Sequence, residues 1–310
     1  MVTTITLSPM LDKSVAIDLL RRGGITRASS VRTVVGGKGV NVSRQLHALG
    51  EATCATGFLG GETGSMIERL LDEESIPHEF VRVAGMTREG VTYRENDGTV
   101  TAVFEPAARV THDEAERLVE KCSLLARRSD WVACSGSSPC QAADDVFRAI
   151  VLRCRERGIP VACDSYGPAL AHAAEAAPDL LKPNKEEFQR TFGQDLASPA
   201  AMLAAARDAV RHGVRYCIIT DGARPFAAAS REGSWSITPP EVPAVNPTGS
   251  GDSLLAGVLH GLMQGWPFPE CCAFGAAAGS ANARVWDVAT SSIDEIMACL
   301  PQVRVRKETE

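Results

Sequence analysis

Apolar residues recur along this chain in two alternating rhythms. Short runs of aliphatic and β-branched residues predict strands over 3–7, 53–58, 131–134, 159–163 and 216–220. Between them, apolar positions spaced three and four apart predict helices over 39–49, 66–74, 113–126, 142–156 and 200–211. The second helix stops before Pro77, and the last two give way to strands through Gly158 and Gly213. Strands alternating with helices are the signature of an α/β fold, a parallel sheet with helices on both faces. From Ser250 the pattern is helical to about Leu300, and the charged segment 304–310 is expected to be a disordered tail.

Two stretches break the rhythm. Residues 13–35 hold short β-like pieces at 14–17 and 31–35; residues 79–106 hold three more, at 79–83, 91–94 and 99–104. The last two flank Asn96-Asp97-Gly98, a hairpin turn signal. A small sheet assembled from both stretches would stand over the strand ends of the main domain, as passive cover or as a lid. The chain therefore reads as a single domain, 1–303, carrying two insertions.

Composition narrows the partners. With 310 residues and 45% hydrophobic content the chain can bury a large core. A net charge of −6 and a pI near 5.6 offer no basic surface for nucleic acid or anionic lipid. No apolar run approaches the roughly 20 residues of a membrane span, and no secretory leader is visible, so a cytoplasmic location is expected. The ten cysteines lack Cys-x-x-Cys spacing, and Cys134, Cys163 and Cys217 fall inside apolar runs, where they read as small buried hydrophobes. The vicinal pair Cys271-Cys272 is assigned a packing role.

Candidate chemistry concentrates in two glycine turns. The first, Val34-Val35-Gly36-Gly37-Lys38-Gly39-Val40-Asn41, leads from an apolar strand into a helix. Its glycines let a ligand approach the backbone, and Lys38 and Asn41 project toward it. It has neither the Walker nor the dinucleotide spacing. The second, Asn246-Pro247-Thr248-Gly249-Ser250-Gly251-Asp252, opens a helix. The N–H groups of Gly249, Ser250 and Gly251, backed by the helix dipole, form a nest for a phosphate or a developing oxyanion. Asp252 at its edge is placed to accept a proton from whatever attacks that phosphate. Read locally, the same string is an aspartate N-cap after a glycine turn. Likewise Asn184 and Glu187 in Lys182-Pro183-Asn184-Lys185-Glu186-Glu187 have the spacing of a helix capping box.

Taken together, the two turns resemble the signatures of the PfkB (ribokinase-like) carbohydrate kinases. The resemblance continues through Thr6-Leu7-Ser8-Pro9-Met10-Leu11-Asp12, Ser135-Gly136-Ser137, Cys163-Asp164-Ser165-Tyr166-Gly167 and the Lys-Pro-Asn motif. It looks most like the 1-phosphofructokinase and tagatose-6-phosphate kinase branch. That resemblance implies a three-layer α/β/α domain with a mainly parallel central sheet and a β-sheet lid from 13–35 and 79–106. Lids of this kind commonly pair two subunits as a homodimer.

The implied reaction is direct in-line transfer from ATP, with Mg2+ as cofactor, to a hydroxyl of a sugar phosphate. Asp252, near its ordinary pKa, would be the base, and Gly249, Ser250 and Gly251 the anion hole. Asp12, Gly36, Gly37, Lys38, Asn41 and Ser137 would line the sugar pocket, with Arg88 on the substrate phosphate and Arg27 and Arg94 as weaker candidates. Lys182, Asn184, Glu187, Thr220, Gly222, Thr248 and Asn282 would surround the nucleotide. Asn184 and Glu187 would reach the metal through water, with no direct protein ligand.

Four places depart from the branch. Ser138-Pro139-Cys140-Gln141 replaces Leu-Pro-Pro-Gly, Gly222-Ala223-Arg224-Pro225 replaces Gly-x-x-Gly, Gly90 stands for Asn, and Ala107 for Gly. They leave the sugar open. Two alternatives stand beside the phosphosugar kinase. One is a related kinase for an unphosphorylated sugar or nucleoside, which would not need Lys38 and Arg88. The other is a non-catalytic nucleotide- or sugar-binding regulator, against which an intact Asp252 argues.

Overall fold

The computed structural model describes residues 1–309. Strand β1 (Val2–Thr6) leads to a hairpin of β2 (Met10–Ala16) and β3 (Ser30–Gly36), then to α1 (Lys38–Ala48), β4 (Thr53–Leu59) and α2 (Gly61–Glu73). A short β5 (Val81–Arg82) precedes a second hairpin, β6 (Arg88–Arg94) and β7 (Val100–Phe104). The chain continues through α3 (His112–Ala126), β8 (Trp131–Ser135), α4 (Val146–Arg155), β9 (Val161–Asp164) and α5 (Pro168–Glu175). Next come β10 (Leu180–Leu181), α6 (Lys185–Phe192), α7 (Pro199–Arg211) and β11 (Tyr216–Asp221). It ends with β12 (Arg224–Ser230), β13 (Gly233–Thr238), α8 (Ser250–Met263), α9 (Phe268–Ala283), α10 (Ile293–Cys299) and β14 (Arg304–Glu308).

Ten strands form the main sheet, in the order β14-β13-β12-β11-β10-β9-β8-β1-β4-β5. Pairs from β5 to β11 are parallel, and those from β11 to β14 antiparallel. Because side chains alternate across a strand, each strand feeds two cores. On β11, Cys217 and Ile219 pack with Phe147 of α4 and Leu170 of α5, whereas Ile218 packs with Leu46 of α1 and Leu255 of α8. Helices α3 to α7 cover one face and α1, α8 and α9 the other, which makes the expected three layers. The cysteines sit in these cores as free thiols, all buried except half-buried Cys140. Burial pushes the Cys217 thiol up to about 12, so it behaves as an apolar side chain. Among the described residues no helix is long and apolar enough to cross a membrane.

A separate four-stranded sheet, in the order β3-β2-β6-β7, stands over the carboxyl ends of the parallel strands. Its two hairpins are antiparallel and meet through a parallel β2–β6 pair, with Met10 opposite Arg88 and Asp12 opposite Gly90. The hairpin over residues 96–98 joins β6 to β7, as its turn residues require.

Three expectations need correction. The piece at 79–83 does not join the small sheet; β5 pairs with β4 at the edge of the main one. The 142–156 helix is interrupted, with a 3-10 turn at Gln141–Ala143 before α4 begins at Val146. In place of the expected tail at 304–310, of which Glu310 lies outside the described residues, Arg304–Glu308 form β14, paired with β13 from Ser234 opposite Glu308 to Thr238 opposite Arg304. Its Arg-Val-Arg-Lys-Glu composition reads as a solvated tail, yet charge is what an edge strand carries, and long basic stems still cover apolar surface. The Lys307 ammonium lies 6.0 Å from the Trp235 ring centroid.

Candidate active site

Between the small sheet and the body lies a cleft of about 1470 Å³. It runs across the carboxyl ends of the parallel strands, where open α/β sheets place their ligands. Every candidate residue named above lines it except Asn282, and neither Arg27 nor Arg94 reaches it. Arg27 is exposed, and the Arg94 guanidinium stacks on Trp286.

The anion nest opens α8. Gly249 takes the left-handed conformation (φ 78°), and a Cβ there would collide with Val288, so only glycine fits. The Ser250 N–H donates back to the Pro247 carbonyl at 3.2 Å, so it is not part of the nest as expected. Among the described residues, the N–H groups of Gly249, Gly251 and Asp252 find no acceptor within the chain. Asn282 holds this loop from behind. It is fully buried, donates to the Thr248 carbonyl (2.9 Å) and Ser250 Oγ (3.0 Å), and accepts from the Ala289 N–H at 2.6 Å. With its amide saturated by the chain, it shapes the loop that carries Thr248 rather than facing the cleft.

Charges alternate across the middle of the cleft. Lys38 Nζ lies 2.9 Å from Asp164 Oδ1 and 2.6 Å from Glu187 Oε1, and Lys182 Nζ lies 2.9 Å from Asp164 Oδ2. Asp164, 1% exposed, is the hub. Burial would raise its pKa, but Lys182 and Lys38 outweigh burial and hold it below the carboxylate range. Burial likewise works against the Lys38 ammonium, and Asp164, Glu187 and Asp252 more than compensate.

Asp252, also buried, is pushed up to about 7, first by burial and then by the charge on Asp164; Lys38, a hydrogen bond from Asn41 and Lys182 offset this only in part. The expectation of an ordinary carboxylate pKa therefore fails, because sequence shows neither its burial nor its neighbour. Asp164 was legible only as part of an Asp-x-x-Gly turn, with nothing local to reveal its two lysine partners.

The Lys-Pro-Asn motif forms its capping box. Asn184 Oδ1 accepts from the Glu187 N–H (2.8 Å), and Glu187 Oε2 accepts from the Asn184 N–H (2.9 Å). The box places the other Glu187 oxygen on Lys38, so one motif serves both helix and cleft. Thr220, at the end of β11, donates its N–H to the Pro183 carbonyl at 3.2 Å and bridges to Asn184. Gly222 lies in the turn between β11 and β12. Phe226, Pro240, Leu254 and Ala276 make that end of the cleft largely apolar.

At the lid end, Thr92 Oγ donates to Asp12, 3.1 and 3.2 Å from its two oxygens. Burial raises the Asp12 pKa, and this bond partly offsets it. Arg88 is half-buried; Nη2 reaches the Ser8 carbonyl at 3.3 Å, and Nε has no acceptor. Burial lowers its pKa, with the nearby Tyr166 phenol acting the other way. Tyr166 is a neighbour of both cations, its ring centroid 6.0 Å from Lys38 Nζ. Neither Tyr166 nor Thr92 was visible as a site residue in sequence. Gly90 has a steric reason to depart from the branch pattern: a Cβ there would lie 2.6 Å from the Phe104 ring.

A three-layer α/β/α body, a small β-sheet over the strand ends and a helix-opening glycine turn with unpaired N–H groups beside a carboxylate are the features expected of a phosphoryl-transfer scaffold. The family model for pfkB family carbohydrate kinases matches residues 4–295, and the chain belongs to that family. It is a sugar kinase, a phosphotransferase with an alcohol group as acceptor. Among solved structures it resembles Escherichia coli phosphofructokinase-2, at 26% identity and TM-score 0.91 over 97% of this chain and 98% of that one. A possible 1-phosphofructokinase from Thermotoga maritima aligns at 27% identity and TM-score 0.91, covering 99% of both chains. An Arabidopsis thaliana ribokinase shares the fold at 21% identity and TM-score 0.76, over 96% of this chain and 98% of its own.

Proposed function

We propose that the protein transfers the γ-phosphoryl group of ATP to a hydroxyl of a sugar phosphate of the fructose 1-phosphate or tagatose 6-phosphate kind. The observation that carries this reading is Arg88. Lys38 is already balanced by Asp164 and Glu187, but Arg88 brings a half-buried guanidinium with an unused Nε to the acceptor end of the cleft. An arginine offers only donors, and a phosphate dianion is the partner that a planar fork engages best. Escherichia coli phosphofructokinase-2 has been solved with fructose-6-phosphate, which agrees with a phosphorylated acceptor.

In this reading Asp12, oriented by Thr92, accepts from sugar hydroxyls, and Gly36, Gly37 and Ser137 form the adjoining wall. Asp252 orients the attacking hydroxyl and takes its proton. The N–H groups of Gly249, Gly251 and Asp252 receive charge from the transferring group, with Lys182 beneath Gly251 adding a cation. Phosphoryl transfer passes through a loose transition state, so positioning and charge do most of this work. The chain fits magnesium in an outer place: both Glu187 oxygens already accept a hydrogen bond, which leaves lone pairs suited to water. Bound there with the nucleotide, magnesium would neutralise phosphate charge. The working form is a cytoplasmic homodimer paired through the lid.

The test compares acceptor rates for wild type and Arg88→Ala with fructose 1-phosphate, fructose 6-phosphate, tagatose 6-phosphate, free hexoses and nucleosides. A phosphosugar should be preferred. Arg88→Ala should raise its KM by roughly tenfold to a hundredfold, the worth of one or two charged hydrogen bonds, and leave the KM for ATP unchanged. Preference for an uncharged acceptor, or an unchanged phosphosugar KM, would transfer the assignment to the unphosphorylated-sugar kinase.

A further inference from the structure

Asn41 and Asp252 are joined by a short bond, Nδ2 to Oδ2 at 2.7 Å, and something must decide which end of the Asn41 amide faces the carboxylate. The decision is made one helical turn further along α1. Arg44 Nη1 donates to Asn41 Oδ1 at 3.0 Å. Arginine has no acceptor, so the amide oxygen has to face Arg44 and the NH2 group has to face Asp252. Arg44 is itself held by three bonds to two partners. Nε lies 2.6 Å from Glu74 Oε2, Nη2 lies 3.1 Å from Glu74 Oε1, and Nη2 also donates to the Val35 carbonyl at 3.1 Å. Its side chain is 11% exposed, and Glu74 sits at the C-terminal cap of α2, so the fork is bidentate and mostly sheltered.

We infer that Glu74 and Arg44 act as positioning residues: they lock the Asn41 amide, which occupies Oδ2 of Asp252 and leaves Oδ1 as the oxygen that meets the acceptor hydroxyl. This rests on Asp252 being the base. With the lock removed, the Asn41 amide is free to turn. Its carbonyl then either repels the Asp252 carboxylate or accepts a hydrogen bond from the protonated acid, and both states are unproductive. Arg44 touches neither acceptor nor nucleotide in this scheme; its effect passes through Asn41.

The expected signature is a split between kcat and KM. Arg44→Ala and Glu74→Gln should each lower kcat by roughly tenfold, with both KM values within about twofold of wild type. Arg44→Lys keeps the charge but loses the fork, so it should not rescue. The decisive measurement is a double-mutant cycle: in an Asn41→Ala background, Arg44→Ala should cost nothing further in kcat. Additive losses, a rise in KM in place of a fall in kcat, or wild-type kcat in the folded single variants would overturn the relay. Should Arg44→Ala not fold, the cycle is run with Glu74→Gln, whose partly exposed side chain is less demanding. Asp252→Asn, assayed alongside, separates the two ideas. Turnover surviving in that variant removes the base itself, whereas a dead Asp252→Asn with an active Arg44→Ala removes only the relay.

Discussion

Asp252 is a carboxylate held where its charge is disfavoured, and that has two measurable consequences. Its pKa, pushed up to about 7 by burial and by Asp164, predicts that kcat/KM rises with pH and levels off above about 7, because that parameter reports the free enzyme. Stability runs the opposite way. The unfolded carboxyl titrates near pH 4, so between roughly pH 4 and 7 the folded state binds more protons than the unfolded one. Stability from this group is therefore present at low pH and lost as pH rises through 7. Asp252→Asn removes both effects at once: kcat should fall about a hundredfold or more, while Tm at pH 8 should rise relative to wild type. An Asn variant with near wild-type turnover would exclude the base role, and one that lost stability at pH 8 would exclude the buried-charge account. Sequence located this residue through its glycines but could not supply its electrostatics, since Asp164, Lys38 and Lys182 lie far from it in the chain and meet only at the sheet's carboxyl edge.

At the scale of elements, what sequence conveyed well was whatever carries a local rule. Five of the parallel strands, β1, β4, β8, β9 and β11, were legible as apolar runs, and the β6–β7 hairpin was legible through Asn96-Asp97-Gly98; the two-residue β5 and β10 are too short to carry a pattern. The capping box of α6 was legible from its spacing, though its second task, delivering Glu187 to Lys38, was not. The antiparallel extension was hidden. β12 is a Phe-Ala-Ala-Ala run without alternation, β13 alternates as Ser-Trp-Ser-Ile-Thr over only five residues, and β14 is written in charged residues whose pairing depends on an edge formed some 70 residues earlier. That strand is a stabilising element with a testable worth. Its five cross-strand pairs at a few tenths of a kcal/mol each amount to about 2 kcal/mol. A chain ending at Val303 should therefore melt roughly 4 °C lower. It should also show red-shifted tryptophan emission, since Lys307 no longer lies over Trp235. An unchanged Tm would mean that β14 contributes nothing beyond its own ordering cost.

The whole molecule leaves one surface unexplained by a single copy. The small sheet leaves Val31 and Val103 more than half exposed away from the cleft and Val100 and Phe104 exposed along the mouth of the cleft, and its edge strand β7 reads Val-Thr-Ala-Val-Phe without a charge. An open, apolar, uncharged edge invites pairing and is normally guarded. The same chain guards the corresponding edge of its main sheet with the charges of β14. The contrast is the argument for expecting a partner: the edge of the main sheet is charged, and that of the small sheet is apolar. A second copy related by a two-fold axis would cover both lids with the same patch. The protein is therefore expected to sediment as a dimer at micromolar concentration, and Val103→Asp should make it a monomer. Val103 pairs with Val91 and, unlike Val100, Ala102 and Phe104, does not line the cleft, so an aspartate there burdens the outer face of the small sheet and not the pocket that holds Arg88 and Asp12. Loss of the dimer should also loosen the lid over the acceptor, raising phosphosugar KM more than ATP KM. A wild-type chain that sediments as a monomer, or a Val103→Asp variant that remains a dimer, would show that the small sheet stands alone over its own cleft.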